Sequence, residues 1–140
     1  MSTTKAKGEM EVLRTAVLLA FIGTGSVEVC HAEARPLTDA ERKIISDSYG
    51  ADLKDPVSAQ YRWSDLIIDP AAKGNEIGYC FRVNAKNSYG GYTGFRSIAG
   101  TVKRNNGKVV SYSYKAGTSE DAILGDLAER VCRHWGYNLR

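Results

Sequence analysis

The side chains best suited to binding chemistry lie in and just before a glycine-rich segment, residues 84–96. Its three glycines permit positive φ angles and close backbone approach. The candidate ligand-binding residues are Arg82, Lys86, Asn87, Tyr89, Tyr92 and Arg96. Aromatic rings stack on apolar faces while amides and guanidinium groups bind polar groups, so this composition is typical of glycan or peptide recognition. In the structural alternative, the glycines make a tight connection and the two tyrosines pack into the domain.

The sequence gives less support for a set of catalytic residues than for a binding surface. Asp65 and Asp69 stand four residues apart in a segment predicted as one strand, which would place both on the same face. Two carboxylates facing one cleft are what a small envelope hydrolase needs. We interpret them instead as solvated turn residues, and His134 as a side chain that interacts with the C-terminal end of a helix dipole. No catalytic residue is therefore predicted.

Metal, cofactor and nucleic-acid binding have little support in the sequence. The chain has 2 histidines and 3 cysteines, which form no ligand set with a recognisable spacing. No Gly-Lys-Ser/Thr follows the glycines, so no phosphate-binding loop is predicted. A net charge of +3 is too small to indicate nucleic-acid binding. The sequence predicts no metal site, no cofactor and no nucleic-acid partner.

Residues 1–34 have the pattern of a secretory signal peptide. An uncharged apolar run spans residues 16–22, too short to cross a bilayer, and Ala32 and Ala34 supply the small residues before a cleavage site. We predict cleavage before Arg35, with Met10 as an alternative start that gives a conventional leader. Residues 35–140 then form a single domain without a transmembrane span, periplasmic or secreted.

The three cysteines divide between the leader and the domain. Cys30 is a candidate site for a lipid anchor, which requires a lipobox with a small residue directly before the cysteine. Val29 precedes Cys30 and Glu28 lies within the lipobox positions, so the match is poor and favours a soluble form. After cleavage only Cys80 and Cys132 remain. A cysteine pair in an oxidising compartment predicts one disulfide, which stabilises the fold by up to about 4 kcal/mol through closure of a long loop.

The elements that position these residues begin with a helix. Thr38 and Glu41 form a capping box, and Gly50 ends the helix. Its predicted apolar face consists of Ala40, Ile44, Ile45 and Tyr49. Asp55 caps a short helical turn that begins at Pro56.

Four strands and a second helix follow. Strands are predicted at residues 60–68, 77–85, 95–104 and 108–115, and the second of them has the clearest apolar–polar alternation. Asn106-Gly107 predicts a hairpin between the last two. The final helix has a predicted apolar stripe of Ile123, Leu127, Val131 and Trp135, with Leu124 and Ala128 beside them, and it ends at Gly136. The fold class is therefore α+β: a four-stranded antiparallel sheet with a short N-terminal helix and a C-terminal helix packed on it.

Two stretches together resemble a known group of proteins. They are Leu-Lys-Asp-Pro-Val-Ser-Ala-Gln-Tyr at 53–61 and Asn-Ala-Lys-Asn-Ser-Tyr-Gly-Gly-Tyr-Thr-Gly at 84–94. Their order and spacing resemble a family of small, exported, often lipoprotein-type bacterial envelope domains. The resemblance implies an envelope protein with a compact α+β domain, and it carries over no catalytic residue.

The function predicted from the sequence is that of a non-enzymatic envelope binding module whose Gly/Tyr-rich loop is the recognition surface. Its partner would be an envelope glycan or a protein. The alternative is an accessory subunit of an envelope assembly, of the secretion or conjugation type, that engages a protein through its sheet edge. A small envelope hydrolase that uses Asp65 and Asp69 is the third hypothesis.

Overall fold

The computed structural model describes residues 32–70, 72–114 and 122–139. Within these residues the chain is α+β, as predicted. The elements, in chain order, are β1 (Glu33–Arg35), α1 (Asp39–Gly50), β2 (Gln60–Arg62), β3 (Leu66–Ile68), β4 (Glu76–Asn84), β5 (Arg96–Asn105), β6 (Lys108–Tyr114) and α2 (Ala122–His134).

The main sheet is antiparallel with the strand order β2-β4-β5-β6. The alternating strand predicted at 77–85 is β4, and the strands predicted at 95–104 and 108–115 are β5 and β6. Asn106 and Gly107 both have positive φ, as a two-residue hairpin turn requires, so this turn is also confirmed. Between Lys103 and Arg104 the β5–β6 register shifts by a bulge.

An aromatic core covers one face of this sheet. Phe81 is fully buried at its centre and contacts the rings of five neighbours: Tyr49, Tyr61, Trp63, Tyr79 and Tyr112. Tyr114 and Tyr137 extend the cluster by packing on Tyr49 and Tyr79. Burial raises the pKa of Tyr49 to about 12, and it also raises the pKa of Tyr79 and Tyr112. These phenols stay neutral in the folded protein.

Helix α1 begins with the predicted capping box. The Thr38 hydroxyl accepts a bond from the Glu41 amide at 3.3 Å, and the Glu41 carboxylate accepts one from the Thr38 amide at 2.9 Å. The same carboxylate forms a bidentate ion pair with Arg35, at 2.7 and 2.9 Å, and accepts a bond from the Val109 amide at 2.9 Å. A buried acid therefore joins β1, α1 and β6.

The buried face of α1 differs by one position from the prediction. Ala40 is exposed, and the face consists of Glu41, Ile45 and Tyr49, with Ile44 at its margin. Apolar spacing alone predicts that Ala40 is buried. The ion pair instead draws Glu41 against the sheet, which turns Ala40 toward solvent.

The single strand predicted at 60–68 is wrong. The structure has two short strands there, β2 and β3, separated by Trp63, Ser64 and Asp65. β2 pairs with β4 in the main sheet, whereas β3 pairs with β1 in a separate two-stranded sheet. The chain changes sheets at this break because each half has a different partner, which propensity along one segment does not reveal.

Helix α2 is joined to the sheet by the predicted disulfide. Cys80 on β4 and Cys132 on α2 are bonded, with Cα atoms 5.8 Å apart and both side chains fully buried. Gly136, at φ 85°, ends the helix, and the Tyr137 amide donates to the Cys132 carbonyl at 2.9 Å, so the predicted helix end is confirmed. This bridge and α2 cover the more polar side of β4.

The predicted stripe of α2 is rotated. Leu127 is exposed and Val131 is half-buried, whereas Cys132 is buried. Ala128 is buried as predicted, and the side chains of Ile123 and Leu124 lie outside the described residues. The disulfide sets this rotation, because Cys132 must point at Cys80. Trp135 lies flat over Gly78, where a Cβ atom would come within 2.5 Å of the indole ring.

The predicted leader falls mostly outside the described residues, and Cys30 with it. The predicted cleavage position before Arg35 lies within β1, whose pairs with β3 are Glu33 with Ile68, Ala34 with Ile67 and Arg35 with Leu66. No helix in the described part of the chain is long and apolar enough to cross a membrane.

Candidate binding surface

The glycine-rich segment forms a compact loop, residues 85–93, which we call the tyrosine loop. The Asn87 side-chain oxygen accepts bonds from the Tyr89 amide at 3.0 Å and the Gly91 amide at 3.1 Å. The Asn87 amide donates to the Gly91 carbonyl at 2.8 Å. Gly90 has a φ of 82°, which glycine adopts without strain. The tip is therefore held by its own backbone and one amide side chain.

The base of the tyrosine loop continues the sheet without regular pairing. The Thr93 amide donates to the Ala85 carbonyl at 3.2 Å, and the Gly94 amide donates to the Asn84 side chain at 2.9 Å. These bonds cross the loop from one side to the other. They fix the two ends of the loop against each other.

The tyrosine loop contacts residues 53–59, which we call the proline segment. Lys86 forms an ion pair with Asp55 at 3.4 Å, and the Tyr92 hydroxyl donates to the Ser58 carbonyl at 3.0 Å. Lys54 also bonds the Ser88 hydroxyl. Hydrogen bonds from Ser58 hold the pKa of Asp55 below its ordinary value, and Lys86 adds to this shift. The two stretches that carry the family resemblance therefore contact each other.

Three aromatic or apolar side chains of this surface are exposed. Tyr89 and Val57 are each 96% exposed, and Tyr92 is 46% exposed with the Lys86 ammonium 5.5 Å from its ring centre. The chain has 8 tyrosines, of which all but Tyr89 and Tyr92 take part in the aromatic core. An open groove of about 560 Å³ adjoins Val57, between the end of α1 and the proline segment.

The six predicted ligand-binding residues separate into three places. Lys86, Asn87, Tyr89 and Tyr92 belong to the tyrosine loop. Arg96 is exposed at the start of β5, where it pairs in register with Val83 on the aromatic side of the sheet. Arg82 points to the opposite side of β4, where its guanidinium donates to the Phe95 carbonyl at 3.2 Å. Closeness in sequence therefore predicts a larger group than the structure brings together, because only four of the six residues lie in the tyrosine loop.

Arg82 instead lines a cavity of about 330 Å³ beside β2 and β3. Arg62 and Trp63, which the sequence analysis did not single out, contribute to the same walls. Arg62 and Arg82 are directly opposite each other in the β2–β4 register. Only the strand pairing brings them together, so no local pattern in the sequence predicts this arrangement.

The carboxylates of the hydrolase hypothesis do not share one strand face. Asp65 lies in the break between β2 and β3, and Asp69 follows the end of β3. The expectation that they point to the same side depends on one continuous strand, which is absent from the structure. Among the described residues no group of three or more His, Cys, Asp or Glu side chains is arranged to hold a metal ion. His134 is the last residue of α2.

No protein-family model, curated protein or solved structure matches the chain.

Proposed function

We propose that this protein is a binding module that recognises a glycan or peptide of the cell envelope through the tyrosine loop and the adjoining proline segment. The observation that carries the proposal is the exposure of Tyr89, 96%, at the tip of a loop held by hydrogen bonds. An aromatic ring left in water costs free energy that its burial against a partner recovers. Six other tyrosines are used in the core, so exposure here is specific to this loop.

The geometry suits binding without a large ordering cost. A loop already held in one conformation loses little entropy when its partner binds. Tyrosine itself has only two side-chain torsions, and it combines an apolar ring with a polar tip. Lys54 and the Lys86–Asp55 pair place charges beside the rings. The surface therefore combines stacking and polar contacts.

The proposed location is outside the cytoplasm, as a soluble periplasmic or secreted protein. The apolar run at 16–22 and the small residues before Arg35 support export. The buried disulfide between Cys80 and Cys132 fits an oxidising compartment. Lipid anchoring at Cys30 is the disfavoured alternative.

The alternative function, docking of a protein strand at a sheet edge, has less support. On the edge strand β6, the Val109 amide already donates to Glu41 and the Tyr112 carbonyl already accepts from Ser48. The other edge, β2, has only 3 residues. An added strand needs a run of free backbone groups. Neither edge presents a long one within the described residues.

Co-sedimentation with purified peptidoglycan sacculi tests the proposal, because sacculi contain both glycan and peptide. We expect the full chain to sediment with sacculi and the Tyr89→Ala/Tyr92→Ala variant to lose at least about tenfold in affinity, the equivalent of one or two buried rings. Isolated glycan strands and isolated stem peptides, used as competitors, then identify which component is bound.

Two controls separate binding from folding. Leu127→Ala removes an apolar side chain from α2 that is as exposed as Tyr92, and it should leave sedimentation unchanged. Tyr89→Ala alone should leave the melting temperature within about 2 °C of the unmodified chain, because the ring has little packing to lose. Absence of sedimentation, or sedimentation that survives loss of both rings, would contradict the proposal.

A further inference from the structure

The cavity beside β2 and β3 has the composition of a second binding site, separate from the tyrosine loop. Its volume is about 330 Å³, at the lower end of the range for small-molecule sites. Its lining includes two cations, one anion and three apolar side chains: Arg62, Arg82, Asp65, Trp63, Ile67 and Leu139. We call it the arginine cavity.

The two arginines carry an uncompensated charge. Arg62 and Arg82 are directly opposite in register and on the same side of the sheet, an arrangement in which like charges repel. No described carboxylate forms an ion pair with either guanidinium. Both guanidinium groups lie over the Phe95 ring, at 3.9 and 5.9 Å from its centre. The ring relieves part of the repulsion and leaves most of the hydrogen-bond donors unused.

The donors of Arg82 are only partly satisfied. One terminal nitrogen donates to the Phe95 carbonyl, while its Nε is buried without a hydrogen-bond partner. The Arg62 guanidinium lies over the Phe95 ring and makes no side-chain hydrogen bond to any described residue. Two adjacent guanidinium groups with free donors match the oxygens of a carboxylate, which arginine binds with two parallel hydrogen bonds.

Asp65 and the apolar walls restrict the ligand further. Asp65 lines the same cavity, and its carboxylate forms no ion pair with either arginine, so it can accept from a cationic group of a ligand. Its negative charge opposes a dianion such as phosphate. Trp63, Ile67 and Leu139 supply apolar contacts for an uncharged part of the ligand.

We propose that the arginine cavity binds a small zwitterion of the amino-acid type. The carboxylate of the ligand is held by Arg62 and Arg82, and its ammonium group is held by Asp65. An aliphatic side chain lies against Trp63 and Leu139. This site does not depend on the tyrosine loop, so each can be tested without the other.

Titration of the full chain, observed through the indole N–H signal of Trp63 by NMR, tests the proposal. Trp135, the second of the 2 tryptophans, lies outside the cavity lining and serves as internal reference. The probes are L-leucine, N-acetyl-L-leucine, which lacks the ammonium charge, L-leucinamide, which lacks the carboxylate, and inorganic phosphate. We expect saturable Trp63 shifts with leucine, about fivefold weaker binding of N-acetyl-leucine, and no binding of leucinamide.

Substitutions assign the contacts. Arg62→Gln should weaken leucine binding at least about tenfold, and because Arg62 is exposed the variant should keep its fold. Asp65→Asn should make leucine and N-acetyl-leucine bind equally. Lys103→Gln removes an exposed cation at the other end of the β4–β5 pair, where Lys103 faces Glu76, and should change nothing.

Three results would overturn the proposal. They are the absence of Trp63 shifts with leucine up to about 50 mM, equal binding of leucinamide and leucine, or tighter binding of phosphate than of leucine. A failure to sediment with sacculi would not contradict leucine binding in the arginine cavity, since the sedimentation assay reports on the tyrosine loop.

Discussion

At the scale of single residues, Glu41 connects more of the fold than any other described carboxylate. Its bonds to Arg35, Thr38 and the Val109 amide hold its pKa at about 2, chiefly through the hydrogen bonds from Arg35. The ordinary value is 4.5, so the shift corresponds to about 3 kcal/mol of stabilisation when the group is ionised. The pKa is lower in the folded protein, so this contribution is complete above about pH 5 and is lost as the pH falls toward 2.

Glu41→Gln should therefore lower the free energy of unfolding by about 3 kcal/mol at pH 7, and by much less near pH 2. Urea unfolding at both pH values measures this difference. Asp47→Asn is the matched control, because Asp47 pairs with Lys43 on the exposed side of the same helix. Its effect should stay below about 0.5 kcal/mol. Equal losses for Glu41→Gln at pH 7 and pH 2 would show that charge is not the cause.

The arginines show what residue types alone do not establish. Closeness in sequence predicts that Arg82 acts with the tyrosine loop, but alternation along β4 turns it toward the arginine cavity. Its partner there, Arg62, is 20 positions away in the chain and meets it only through the β2–β4 pairing. Spacing in the sequence predicts which face of a strand a side chain occupies. Strand pairing determines which residues of other strands lie beside it on that face.

At the scale of elements, strong local signals predicted the structure well. The alternation of β4, the Asn106-Gly107 turn and the capping box at Thr38 each depend on neighbours a few residues away, and each is confirmed. The break between β2 and β3 depends on β1, a distant segment of which the sequence predicts Glu33 and Ala34 to lie in the leader. The rotation of α2 depends on the bond to Cys80. Errors thus fall where a distant partner overrides the local pattern.

A disulfide links β4 and α2 covalently. It joins residues 52 positions apart, so it restricts a large part of the unfolded chain. Among the α2 side chains that the structure describes, only Ala128 and Cys132 are buried. Cys80→Ala/Cys132→Ala should lower the free energy of unfolding by about 4 kcal/mol. Urea unfolding under non-reducing conditions measures this loss.

The third cysteine provides the control for that experiment. Cys30→Ala should leave the unfolding midpoint unchanged, whether or not reductant is present. Reductant should bring the unmodified chain to the stability of the double variant. A loss below about 1 kcal/mol would mean that packing of Ala128 and Trp135 holds α2 in place without the bond.

At the scale of the whole molecule, the two proposed sites lie at the same end of β4. The arginine cavity begins at Arg82, inside the strand, and the tyrosine loop begins directly after Asn84. The disulfide at Cys80 and the aromatic core around Phe81 make this part of the sheet rigid. A rigid strand that ends in a held loop gives both sites a fixed geometry, which binding sites need more than a large contact area.

Export would remove part of β1 and, with it, part of one wall of the arginine cavity. Cleavage before Arg35 removes Glu33 and Ala34, and with them two of the three pairs of β1 with β3. Arg35 itself remains, with its ion pair to Glu41 and its bond to the Gly107 carbonyl at 2.8 Å. These side-chain bonds do not need the removed residues, so the domain should stay folded. Ala34 lines the arginine cavity, so its loss would widen the entrance.

The intact mass of the protein recovered from the envelope fraction of its host tests this sequence of events. We expect the mass of residues 35–140 less two hydrogens. Cleavage removes the mass of the leader, and the bond between Cys80 and Cys132 removes the two hydrogens. Reduction should add the two hydrogens back and leave the chain length unchanged. An acylated mass that starts at Cys30 would make the protein a lipoprotein and would favour an assembly subunit. An unprocessed chain would contradict export, and with it the envelope ligand proposed for the tyrosine loop.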